Sequence, residues 1–208
     1  MGFYPALKYK VFTPFYDWFI TQTMPEFEIK NRVISLAKLT ENEKVLDFGS
    51  GTGTLAKMCL EHYPSIDFIG LDVDPKMIEI ANNKNINGLK SVLFDGVTIP
   101  FPGHYFDRVL STWVFHHLTR KQKIIAFKEI KRVLKPDGLF VLADWGKPSN
   151  WLQSLLFFIL QVFDTFNQTV DNVNGQIPSL IKESGFMKIK SKGYMNTLFG
   201  TLRYWTSA

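Results

Sequence analysis

Val45-Leu46-Asp47-Phe48-Gly49-Ser50-Gly51-Thr52-Gly53 decides how the rest of the chain is read. Apolar residues bracket one carboxylate, glycines follow at alternate positions, and an apolar-periodic segment opens at Leu55, which predicts strand, tight turn and helix. Glycine has no Cβ, so such a turn reaches positive φ and leaves main-chain amides open to a ligand. The start of the helix adds orphan N–H donors and a partial positive charge. The spacing separates ligand classes. A dinucleotide fingerprint requires Gly-x-Gly-x-x-Gly, whereas Thr54 stands three residues after Gly51 and the third glycine comes one place early, at Gly53. Asp47 would also repel a diphosphate, and suits a ligand that carries an ammonium group.

Outward from this turn the pattern repeats. Asp67 to Asp72 reads as a second buried strand ending in a carboxylate, after which Asp74 caps a helix with Pro75 in its first turn. Asp72 follows Gly53 by 19 residues, at a strand end where an acidic side chain accepts both hydroxyls of a ribose. The spacing supports a nucleoside ligand without naming it, and Val73 and Met77 are placed to wall its base. Ser91 to Phe94 predicts a third strand ending at Asp95-Gly96, and Phe106 to Ser111 a fourth, followed by Thr112-Trp113-Val114-Phe115-His116-His117-Leu118. Thr119 to Leu134 predicts an amphipathic helix with Ile124, Phe127, Ile130 and Val133 inward and its lysines outward. Lys135-Pro136-Asp137-Gly138 predicts a turn, and Leu139 to Ala143 a fifth strand ending at Asp144. Strands alternating with helices imply right-handed parallel crossovers, hence an α/β doubly wound sheet with ligands at the strands' carboxyl ends. Gln176 to Ser184 predicts a last helix, and Phe186 to Lys192 and Thr197 to Trp205 a strand pair joined near Gly193 to Asn196.

These residues carry a resemblance. VLDFGSGTG resembles motif I of the class I S-adenosylmethionine-dependent methyltransferases, and Asp95 with Pro100-Phe101-Pro102 resembles the family's Asp-x-x-x-x-Pro-Phe segment. Thr112 to Leu118 is similar to the segment after its fourth strand, Leu134-Lys135-Pro136-Asp137-Gly138-Leu139-Phe140 to the motif before its fifth, and Phe15-Tyr16-Asp17 to its N-terminal tyrosine–aspartate pair. The closest look is to the small-molecule branch, the ubiquinone/menaquinone C-methylases. The resemblance implies a Rossmann-like, mostly parallel seven-stranded sheet whose last strand is antiparallel, with an N-terminal helical segment and a cap helix. It implies S-adenosylmethionine as cofactor, with Gly49, Ser50, Gly51 and Gly53 along its methionine portion and ribose and Asp47 on its ammonium. Asp72 would take the ribose hydroxyls, Asp95 the adenine amine and the Gly96 N–H a ring nitrogen. Thr112 and Trp113 would face the methionine end, and Tyr16 and Trp113 the sulfonium, which aromatic faces stabilise. In-line attack on the sulfonium methyl needs a base only if the acceptor still holds its proton. His116, His117 and Asp144 are the candidates. Being adjacent, the two histidines are expected to point differently, with one of them a base and His117 the one more readily explained by packing.

Composition bounds the rest. At 208 residues the chain is read as one domain, with an N-terminal helical segment (1–40), a cofactor-binding core (41–145), a cap insertion (146–175) and a closing helix and strand pair (176–208). Arg120, Lys121, Lys123, Lys128, Lys131 and Arg132 read as a solvated helix face, so the net charge of +5 points to no nucleic-acid partner. One cysteine, Cys59, and four histidines argue against a disulfide framework or a metal site and for a cytoplasmic setting, and no signal peptide is evident. Trp151 to Phe163 carries no charge but is shorter than the roughly 20 residues a membrane span needs. It is expected as a cap helix over the acceptor pocket, with peripheral membrane contact through 151–163 as the other reading. The aromatic share of 15% fits a small apolar or aromatic acceptor, such as a lipid, quinone or metabolite. Three other readings stay open: a protein that binds S-adenosylmethionine without methyl transfer, a dinucleotide oxidoreductase and an aminopropyl transferase. Oligomeric state is left undecided.

Overall fold

The computed structural model describes residues 25–163, 166–198 and 200–208; Tyr16 and the expected leader helix before Pro25 lie outside them. Helices α1 (Glu26–Ala37), α2 (Thr54–His62), α3 (Pro75–Asn83) and α4 (Arg120–Val133) alternate with strands β1 (Lys44–Phe48), β2 (Asp67–Asp72), β3 (Leu89–Leu93), β4 (Phe106–Thr112) and β5 (Leu134–Trp145). Then come α5 (Trp151–Phe163), α6 (Phe166–Val173), α7 (Ile177–Glu183), β6 (Ile189–Thr197) and β7 (Gly200–Ser207). Local chemistry sets the helix starts. Asp74 accepts from the Lys76 N–H at 2.8 Å ahead of Pro75, and Thr119 with Gln122 closes a capping box on α4.

The strands form one seven-stranded sheet in the order β3-β2-β1-β4-β5-β7-β6, parallel except for β7, which runs antiparallel to both neighbours. Successive residues of each strand point to opposite faces. Leu46, Phe48, Val109, Phe140 and Leu142 accordingly pack on α4 and α7, while Val45, Phe68, Leu110, Val141 and Ala143 pack on α1 and α2. Both faces are covered, as a parallel sheet requires. The winding reverses between β1 and β4, and Asp47 sits there, opposite Gly70 on one side and Leu110 on the other.

Three local expectations are corrected. Gly193 to Asn196 is not the strand-pair turn: β6 runs through it, the register shifts between Ser191 and Tyr194, and the reversal falls between Thr197 and Gly200. Gly193, at φ 95°, relieves a bulge within the strand rather than ending it. Lys135 to Gly138 likewise lies within β5, where the pairing jumps from Phe106–Leu134 to Arg108–Leu139 and absorbs the extra residues. Lys123 does not face solvent. It is fully buried because the segment after β5 covers this turn of α4 and offers its ammonium a carboxylate and a carbonyl.

Phe127 of α4 stacks on Phe115 with centroids 4.2 Å apart and rings 8° from parallel, and both are fully buried. Phe127→Ala is therefore expected to cost about 3–5 kcal/mol in urea unfolding. Ile125→Ala, at a position 39% exposed on the same helix, should cost under about 0.5 kcal/mol.

Candidate active site

The glycine turn is fastened to β2 before anything binds. Leu71 O accepts the N–H groups of Gly49 (2.8 Å) and Ser50 (3.0 Å), and Ser50 O accepts that of Gly53 (3.1 Å). Gly49 and Gly51 both have positive φ but serve different ends. A Cβ on Gly49 would lie 2.2 Å from Val114 Cγ2, so this glycine lets the loop after β4 close against the turn. A Cβ on Gly51 would meet nothing within 4 Å, so the space above it is open to a ligand. Asp72 orders the turn, accepting the Gly51 N–H on Oδ2 at 2.8 Å and the Asp74 N–H on Oδ1 at 2.9 Å. A carboxylate offers about four lone-pair sites, so capacity for a ribose remains.

Asp47 is buried, and no described residue donates a hydrogen bond to it. Burial pushes its pKa up to about 7, Lys30 opposes the rise and Asp72 adds to it. Lys30 is itself nearly buried and pairs with Glu26 at 2.6 Å, while Lys84 Nζ holds Thr52 O at 2.8 Å and Thr52 Oγ1 at 2.9 Å. A buried carboxylate near the Lys30 ammonium, with the Lys84 ammonium on the glycine turn, complements the two charges of an α-amino acid.

The second half of the site hangs on Asp144, which is fully buried at the end of β5. Its Oδ2 accepts the N–H groups of Val114 (3.0 Å) and Phe115 (2.7 Å), and its Oδ1 accepts the Trp145 N–H (2.7 Å) and faces His116 Nδ1 at 2.9 Å. These bonds hold the loop in a shape it would not take alone, with Trp113 at φ 58°, a left-handed conformation bulky residues avoid. His116 Nε2 has no hydrogen bond among the described residues, which leaves it available for proton exchange. Contrary to expectation, the two imidazoles do not diverge: their centroids are 3.8 Å apart. Phe115–His117 is a single 3-10 turn that exits extended at Leu118, so neither helix nor strand periodicity governs it. Burial, and then a charge on His116, hold the His117 pKa well below its usual value.

The remaining candidates are distributed along the same edge. Val73 and Met77 are half-buried where β2 gives way to α3. Asp95 is exposed and spends Oδ1 on its own loop, accepting Val97 N–H at 2.8 Å and Thr98 N–H at 2.9 Å, which keeps its carboxyl below the ordinary range. Its Oδ2 takes neither of these bonds, and Gly96 stands beside it. Thr112 Oγ1 and Trp113 Nε1 are buried without a partner among the described residues. Open space over Gly51, orphaned polar atoms at the tip of β4 and carboxylates at the tips of β1 and β2 all fit an adenosyl amino acid. Sequence reasoning missed Lys30, Lys84 and Asn172, whose Nδ2 donates to Asp144 Oδ1 at 3.2 Å. Lys30 alone left a trace, a cation between Ile29 and Val33 on an apolar face.

Asp47 has a thermodynamic signature. A carboxyl whose pKa is raised on folding contributes stability that is full below its unfolded pKa and gone above its folded one. The ligand-free protein should therefore lose stability between about pH 4 and pH 7 through this residue. Asp47→Asn should flatten that slope and raise Tm at pH 8, as thermal melts across pH would show.

Comparison with known proteins agrees with this geometry. A methyltransferase domain family matches residues 46–142. An uncharacterized methyltransferase of Oceanobacillus iheyensis is 34% identical over 135 residues, covering 63% of this chain and 62% of its own. The demethylmenaquinone methyltransferase of Thermotoga maritima is 30% identical over 121 residues, 58% of this chain and 52% of its own. The ubiquinone/menaquinone biosynthesis C-methyltransferase of Cupriavidus metallidurans is 29% identical over 150 residues, 70% and 60% respectively. The match thus spans between 52 and 62% of the length of these relatives. The fold is that of a SAM-dependent methyltransferase from Aquifex aeolicus, with a TM-score of 0.66, 16% identity and coverage of 92% of this chain and 96% of the other. Over the matched residues the chain is thus similar to a methyltransferase domain and, among its relatives, to quinone C-methylases, and it has the fold of a SAM-dependent methyltransferase.

Proposed function

We propose that the protein is a single-domain, cytoplasmic enzyme that transfers a methyl group from S-adenosylmethionine to a small apolar or aromatic acceptor of the quinone or related metabolite type. The observation that carries this reading is the open space over Gly51, bracketed by Asp72 on its own N–H and by the buried, donor-poor Asp47. When bound, S-adenosylmethionine supplies an electrophilic methyl on sulfur with a neutral thioether as leaving group. The chain's own residues do the rest. Asp47 takes the ammonium of the amino acid and Lys30 and Lys84 its carboxylate, Asp72 the ribose, and Val73, Met77, Asp95 and Gly96 the adenine. Trp113 walls the reacting end and helps exclude water. His116, oriented through Nδ1 by Asp144, accepts at Nε2 the proton that a phenol-like or carbon acid acceptor must lose. His117, held neutral, packs against it.

An apolar acceptor is supported by the names of the relatives and by α5, which leaves Trp151 77% exposed with Leu152 and Leu155 beside it on its surface. The same face supports peripheral contact with lipid. Among the described residues no helix is long and apolar enough to cross a membrane.

Two measurements test the reading. Radiolabelled methyl transfer should reach a prenylated 1,4-naphthohydroquinone lacking its ring methyl, and activity confined to highly charged acceptors would contradict it. Because Asp47 must ionise to hold the ammonium, affinity for S-adenosylhomocysteine should be up to about 10-fold weaker at pH 6 than at pH 8. In Asp47→Asn the dependence should vanish.

A further inference from the structure

The segment between β5 and α7 reaches the His116–Asp144 pair through two consecutive side chains. Asp171 of α6 is buried, accepts from Arg120 Nη1 at 2.8 Å and lies 3.4 Å from Lys123 Nζ. Lys123 Nζ also donates to Gln168 O at 2.6 Å, so a fully buried ammonium of α4 is committed to holding α6 down. Asn172 is fully buried, and its Nδ2 donates to Trp145 O at 2.8 Å and to Asp144 Oδ1 at 3.2 Å. Two acceptors on one nitrogen fix which way the amide lies. Its Oδ1 is then left buried without a partner among the described residues, a desolvation cost that an apolar residue would avoid. Packing alone does not account for an asparagine here; what its N–H does to Asp144 does.

We propose that Asn172 is a positioning residue for proton transfer at His116, seated by the Asp171–Lys123 pair, so that the cap segment is wired to the base. The proposal rests on the methyl-transfer reading above. Asn172 shares Asp144 Oδ1 with His116 and draws on the charge the carboxylate can offer the imidazole. Removing it strengthens the Nδ1–H bond to Asp144 and makes His116 hold its proton more tightly. The charged and titratable groups around the pair are Asp144 on β5, His117 on the same turn, Lys123 and Arg120 on α4, and Asp171 on α6.

The test compares wild type with Asn172→Ala and with Asn172→Leu, which removes the donor while filling the volume; His116→Ala serves as the control. S-adenosylhomocysteine affinity within about twofold of wild type establishes that each variant is folded. In 1H–15N spectra of the His116 ring, the Nδ1–H resonance should move downfield in both Asn172 variants. With S-adenosylmethionine and the naphthohydroquinone probe, kcat at neutral pH should fall severalfold, by up to about tenfold, with little change in KM, and the acid limb of the pH profile should move up by as much as about one unit. An unmoved resonance overturns the proposal. So does a moved resonance with an unmoved acid limb. Wild type that turns over no acceptor while the resonance still moves would count against the methyl-transfer reading, leaving the bond between Asn172 and the pair established by the spectrum.

Discussion

A fully buried carboxylate at the end of β5 is the constraint on which the active edge depends. Removing a charge from water is costly unless donors surround it. Asp144 gathers them from four directions: the loop after β4, its own strand, His116 and α6. Charge-assisted bonds contribute about 1.5–3 kcal/mol each, enough to offset the left-handed Trp113, whose conformation costs on the order of 1–3 kcal/mol. The strained loop is thereby fixed against Gly49, where no side chain larger than hydrogen fits. One charge both shapes the pocket wall and fixes the imidazole that borders it.

Asp47 shows the opposite arrangement. It is buried as deeply, yet the described residues give it no donor, and its pKa rises to about 7 as a consequence. In the proposed function its partner is the ammonium of the ligand. Sites that bind a cation commonly leave such a group unsatisfied in the free protein and accept the loss of stability. The two carboxylates differ in kind: Asp144 is satisfied internally and organises structure, while Asp47 is left without a donor among the described residues, as the proposed binding role requires.

Much of this was legible in the sequence because it lies in short stretches with their own chemistry. The run from Val45 to Gly53, Asp72 nineteen residues after Gly53, and the capped helices at Asp74 and Thr119 are local patterns, and a parallel, doubly wound sheet follows from the alternation of strands and helices. What was not legible depends on contacts between distant segments. Lys123 carries the sequence signature of an exposed helix face, and only the 48-residue contact to Asp171 buries it. The close approach of the His116 and His117 rings comes from a turn too short to have periodicity. Asn172 sits in an ordinary amide-rich stretch and acquires meaning from Asp144, 28 residues away. Gly193 reads as a turn because bulge glycines and turn glycines look alike in one dimension.

The central claim is that the tips of β1 and β2 hold an adenosyl amino acid. Calorimetric titration at pH 8 with S-adenosylmethionine, S-adenosylhomocysteine, NAD and NADP, on wild type, Gly51→Val and Asp72→Ala, tests it most directly. The account predicts micromolar binding of both sulfur nucleosides, none of either dinucleotide, and loss of binding when Gly51 gains a side chain or Asp72 loses its carboxylate. Equal binding in the variants, or no binding of either sulfur nucleoside to folded wild type, would contradict it.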